Sequence, residues 1–127
     1  MVVGGYAVIK HGAPRYTGDI DIWIDLEASN AKKVYSALVD FNAPVSTLLP
    51  KDFMEAGFFF QMGIPPNRID ILMSLKEMDF NICYDNKSYS NLDIGPVPFI
   101  SKNDLIKAKK IAGRPKDLAD VHELEKL

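Results

Sequence analysis

The chain is short of the features that would settle its class at a glance. It has one cysteine, Cys83, so no internal disulfide can form and the hydrophobic core must hold the fold unaided. With no leader peptide visible, a reducing cytoplasm is the expected compartment. No apolar run approaches the length of a membrane span. The net charge is only -2, which removes the broad positive footprint of a nucleic-acid coat while leaving room for a local basic patch. His11 and His122 lack a metal-ligand partner at useful spacing. What remains is ordinary: 127 residues, 47% hydrophobic and 25% charged, enough for a single domain over residues 1–127.

Against that background one stretch stands out. In Gly18-Asp19-Ile20-Asp21-Ile22-Trp23-Ile24-Asp25 apolar residues alternate with carboxylates, the period of a β-strand. Ile20, Ile22 and Ile24 share one face, and Asp19, Asp21, Trp23 and Asp25 the other. Alternation alone suits a one-sided strand with a solvated acidic face. It also suits two carboxylates placed to hold a divalent metal. Arg68 to Leu75 reads as another strand, with Asp70 alone among apolar residues on its face. An unpaired carboxylate in a buried strand costs several kcal/mol, so Asp70 needs a cation or a ligand.

The other elements follow from local chemistry. Val2-Val3 is a short buried strand broken by Gly4-Gly5, and Tyr6 to Lys10 favours a helix after the glycine pair. Ala31, Val34, Leu38 and Phe41 mark a helix, with Ser29 or Asn30 as its N-cap. Leu48 to Ala56 is a connector with one helical turn near Lys51-Asp52-Phe53. Gly57 to Met62 is a strand that forms a hairpin with Arg68 to Leu75. Asp79 to Tyr84 and Leu92 to Phe99 are weaker strands around a polar loop, and Pro96 and Pro98 point to an edge. Ser101 to Asp104 has capping-box spacing, opening a helix that Gly113 stops; Pro115 then opens the last helix.

A glycine pair after a strand, an Asp-x-Asp on a second strand and an aspartate on a third are the equipment of phosphoryl transfer. Glycine lets backbone N–H groups approach phosphate closely, and carboxylates on neighbouring strands can hold two Mg²⁺ ions. Gly4-Gly5, thirteen residues, then Asp19-Ile20-Asp21-Ile22 resembles the pattern of the nucleotidyltransferase superfamily that includes DNA polymerase β. Val3 to Ala7, Gly12 to Thr17, Gly63 to Asp70 and Ala112 to Asp120 look most like the small bacterial AbiEii-type and antitoxin-type group.

That resemblance implies an α/β (α+β) nucleotidyltransferase fold, a mixed and mostly antiparallel sheet with helices largely on one face. It implies Asp19 and Asp21 as ligands of both Mg²⁺ ions, with Asp70 completing one site and helping to deprotonate the acceptor. Gly4 and Gly5 would line the triphosphate of an NTP substrate. Arg15 stands at the mouth, as fit for a triphosphate oxygen as for an ion pair, and Thr17 joins it. Lys110 or Lys116 would reach across the cleft. Arg68 is read as charge-balancing, Asp117 and Asp120 as mostly structural, and Trp23 as packed rather than base-stacking. The acceptor would be a protein side chain or an RNA end, tRNA included, in a toxin–antitoxin or phage-defence setting. The family's leading helix is absent from this sequence, as is the further domain of its larger members. The rival expectation is an inactive module of the same fold that binds a partner protein.

Overall fold

The computed structural model describes all residues, 1–127. The chain runs β1 (Val2–Val3), α1 (Gly4–Lys10), β2 (Asp19–Trp23), α2 (Ala28–Asp40), a 3-10 turn (Pro50–Met54), β3 (Phe59–Met62) and β4 (Arg68–Leu72). Then come α3 (Phe80–Asp85), β5 (Ser88–Leu92), β6 (Gly95–Phe99), α4 (Lys102–Ala112) and α5 (Pro115–Glu125). The strands form one sheet in the order β3-β4-β2-β1-β6-β5. It is mixed: β2/β4 and β1/β6 pair parallel, while β1/β2, β3/β4 and β5/β6 pair antiparallel. No helix is long and apolar enough to cross a membrane.

Two cores sandwich the sheet. On one side Val3, Ala7, Trp23, Cys83, Leu105 and Leu124 pack together, joining the sheet to α1, α3, α4 and α5. On the other, Ala31 and Leu38 of α2 and Phe53 of the 3-10 turn cover Phe60 and Ile71. The helices thus lie mostly, but not wholly, on one face. Trp23 is buried and meets Phe80 edge-on at 5.1 Å, which commits its ring to packing.

Several boundaries differ from the sequence expectations. Residues 80–85 are helical rather than a strand. The Asp79 side chain accepts from Ile82 N at 3.0 Å, and Phe80 stacks on Tyr84 one turn later at 5.4 Å. The outer strand β5, Ser88–Leu92, takes Ser88 to Asn91 from the stretch read as a polar loop and Leu92 from the start of the expected second strand. Its partner β6 is therefore interior despite Pro96 and Pro98. By strand parity both prolines turn their missing N–H groups toward β1, and β1 is too short to need them: only Ile100 N donates there, to Val2 O. Helix α2 begins at Ala28, with Glu27 at its N-cap in place of Ser29 or Asn30. Asn30 instead donates to Asp25 O at 2.8 Å, tying the helix to the exit of β2.

The C-terminal helices follow local chemistry closely. Ser101 Oγ accepts from Asp104 N at 3.1 Å, and Gly113 ends α4 with φ +68°, a left-handed conformation that glycine adopts without strain.

Candidate functional site

Strand register makes the site. β2 and β4 run parallel with Asp19 opposite Arg68 and Asp21 opposite Asp70, so all four side chains leave the same face. Ligand oxygens of Asp19, Asp21 and Asp70 lie within 4.8 Å of one another. Asp70 is the most enclosed, 5% exposed. Arg68 clamps the group: Nε meets Asp70 Oδ1 at 2.9 Å, and Nη2 donates to Asp70 Oδ2 at 3.0 Å and to Asp19 Oδ2 at 2.9 Å. Asp21 has no cation of its own. Burial, then the charges of Asp19 and Asp70, push its carboxyl up to about 7, so near neutrality it is only partly ionised.

The carboxylates form the floor of a cleft of ≈ 560 Å³. Gly4 and Gly5 form its near edge, where β1 turns into α1. Gly4 has φ +67°, and a Cβ there would run into Asp21 Oδ2. A Cβ on Gly5 would meet Thr17 Oγ1 at 2.6 Å and Arg15 Nη2 at 3.0 Å. Both positions are glycine because the backbone is pressed against the site's own side chains. Thr17 Oγ1 in turn donates to Asp19 O at 3.1 Å, bracing the entry to β2.

The facing wall comes from α4 and α5 and carries a ladder of alternating charge. Arg15 Nε meets Asp120 Oδ1 at 3.0 Å, and Lys109 Nζ meets Asp120 Oδ2 at 2.9 Å and Asp117 Oδ1 at 3.5 Å. Arg114 Nε closes the ladder on Asp117 Oδ2 at 2.6 Å. Burial alone would raise the Asp117 carboxyl, but its bonds to Arg114 and the Lys109 charge outweigh that and hold it below the usual range. With three cations to two anions, this wall carries surplus positive charge.

Of the residues singled out from sequence, Gly4, Gly5, Arg15, Thr17, Asp19, Asp21, Asp70 and Lys116 line this one cleft. Lys110 does not: its ammonium pairs with Glu125 at 2.8 Å on the outer surface. Beside Lys116, the α4 lysine on the cleft wall is Lys109, the neighbour of Lys110; it is 8% exposed, and sequence reasoning passed it over. A signal was there. Leu105, Ala108, Lys109 and Ala112 follow helical spacing on one side of α4, and Lys110 falls off that side. Asp117 and Asp120 are buried anchors of the cleft's cations rather than dipole caps alone.

Three hard oxygen donors, one of them raised in pKa by burial and by its two carboxylate neighbours, fit a divalent cation such as Mg²⁺. A scan against protein-family models finds no match for this chain, and a search of curated proteins finds none either.

Proposed function

We propose that the chain is a Mg²⁺-dependent nucleotidyltransferase that moves a nucleoside monophosphate from an NTP to an acceptor hydroxyl. One observation carries the reading: three carboxylates from adjacent parallel strands converge within 4.8 Å, across a cleft from a wall of surplus positive charge. Asp19, Asp21 and Asp70 would hold two divalent ions, which, when bound, neutralise charge on the attacking and leaving oxygens. Gly4 and Gly5 bring the backbone at the start of α1 up against Asp21, Thr17 and Arg15, at the cleft edge the polyphosphate would meet. Arg15, Lys109, Arg114 and Lys116 turn positive charge toward the polyphosphate. The acceptor oxygen attacks the α-phosphorus and the bond to the bridging oxygen of the β-phosphate breaks. Pyrophosphate leaves along the basic wall, and the hydroxyl proton passes to Asp70.

The acceptor class, a protein side chain or an RNA end, rests on the sequence resemblance, as does a toxin–antitoxin or phage-defence setting. A net charge of -2 disfavours a long polynucleotide.

A second reading, an inert module of this fold that docks a partner protein, draws on Arg68, whose guanidinium already neutralises part of the cluster. Melting temperature with each NTP, with and without Mg²⁺, separates the two. A ligand that binds only the native state at a hundredfold excess over Kd adds about 2.7 kcal/mol. The enzyme reading expects a rise of several degrees that needs both NTP and Mg²⁺ and is lost in Asp19→Ala and Asp21→Ala. No rise with any NTP favours the module. Transfer of label from NTP to RNA or protein then identifies the acceptor.

A further inference from the structure

Arg68 occupies an unusual place. It is the only cation paired within the carboxylate cluster, and its charge lies mainly on Asp70: Nη2 donates to one oxygen at 3.0 Å, and Nε stands 2.9 Å from the other as an ion-pair contact outside hydrogen-bond geometry. The same Nη2 reaches one oxygen of Asp19 at 2.9 Å. Asp21 and the second oxygen of Asp19 are left without a cation. The four side chains therefore divide into a covered half, built on Asp70, and an uncovered half, built on Asp19 and Asp21. Arg68 is also half-exposed and stands on a ridge. It lines the catalytic cleft on one side and, on the other, a groove of ≈ 860 Å³ with Gln61, Pro66 and Asn67. A guanidinium released from Asp70 has open space to enter without disturbing the core.

We infer that Arg68 is a built-in competitor of the second metal ion: the two divalent ions load unequally, the first on Asp19 and Asp21, the second on Asp70 only after Arg68 has swung away. This rests on the reading of the cluster as a metal centre. The chemistry is direct. The guanidinium's hydrogen bonds to Asp70 Oδ2 and Asp19 Oδ2, and its charge beside Asp70 Oδ1, compete with a metal ion for the same carboxylates. The pair also explains how a carboxylate as enclosed as Asp70 is tolerated between metal-binding events, since a buried charge without a partner is costly. A site closed in this way stays half-assembled until a second ion displaces Arg68.

The test is a Mn²⁺ titration followed by the paramagnetic resonance of the free ion, with metal-free melting recorded alongside. The parent chain should bind in two unequal steps. Arg68→Gln should tighten the weaker step on the order of tenfold, as expected for removal of a partly screened charge-assisted pair, and lower the metal-free melting temperature. Arg68→Lys keeps the charge but loses the fork, so its weaker step should fall between the two; it also decides the matter should the glutamine variant not fold. Asp70→Asn should delete the weaker step and spare the stronger. A weaker step that is unchanged or loosened in Arg68→Gln, or in Arg68→Lys alone, overturns the competition and makes Arg68 a support for Asp70. If the parent binds no Mn²⁺ at all, the metal reading falls and takes this inference with it.

Discussion

The two walls of the cleft handle buried charge in opposite ways. On the helical wall, Arg15, Asp120, Lys109, Asp117 and Arg114 alternate in sign, and each carboxylate touches two cations. On the sheet, one guanidinium serves Asp19 and Asp70, and Asp21 has no cation and a carboxyl raised to about 7. The first arrangement is closed: every charge has neighbours of the other sign, set by α4 and α5 and by Arg15 reaching in from the loop before β2. The second is short of positive charge, and nothing in the chain supplies the rest. A fold that needed these groups only for stability would resemble the first. On the reading proposed above, the difference belongs to the sheet side as the part that takes a ligand.

That contrast can be broken by substitution, and the signs should differ. Lys109→Ala removes the central rung of the ladder and leaves Asp117 and Asp120 under-compensated in the interior. A loss of about 3–5 kcal/mol is expected in urea denaturation, the usual cost of breaking one partner out of a buried ion pair. Asp21→Asn should do the reverse in the absence of metal. A carboxyl whose folded pKa is raised to about 7 contributes stability that is intact below the unfolded value near pH 4 and lost as pH rises through 7. Asparagine removes that loss, so the variant should be more stable than the parent at pH 8 by about 1–2 kcal/mol, discounted for partial exposure, and nearly equal to it at pH 4. Melting curves at the two pH values check this, and a variant less stable at pH 8 would show that Asp21 is as well compensated as the ladder. Lys110→Ala should change least. Its pair with Glu125 is on the surface, 57% exposed on the lysine side, and its loss should cost under about 0.5 kcal/mol and leave NTP-dependent stabilisation intact.

Much of the sheet side was legible because its signals are local. The alternation in Asp19 to Trp23, the lone Asp70 and the tight Gly4-Gly5 each report on a few consecutive residues, and the register of β2 on β4 brings them together. The serine cap at Ser101 and the stop at Gly113 were legible for the same reason. The helical wall was harder. Choosing Lys109 over Lys110 depends on which side of α4 turns inward, and the surrounding charges hide that periodicity. The pairing of Arg15 with Asp120 spans most of the chain and leaves no mark on either neighbourhood. Residues 80–85 were misread because Phe80, Ile82 and Tyr84 alternate as a strand would, while Asp79 Oδ1 caps a single turn that no long periodicity announces. Strand β5 was missed because an outer strand with a polar composition resembles a loop.

The register between β2 and β4 has a consequence for how this gene can vary. Asp21 and Asp70 stand level because two strands drawn from distant parts of the chain meet without offset. Adding or deleting one codon between Arg68 and Asp70 would turn the aspartate through the sheet, into the apolar layer beneath α2, and bring an isoleucine up in its place. The exposed connection from Glu55 to Gly57 touches no such level, holds no core side chain and can change in length far more freely. A scan of single-residue insertions should therefore show sharp intolerance within the two short strands and wide tolerance in that connection, tracing the centre by spacing alone.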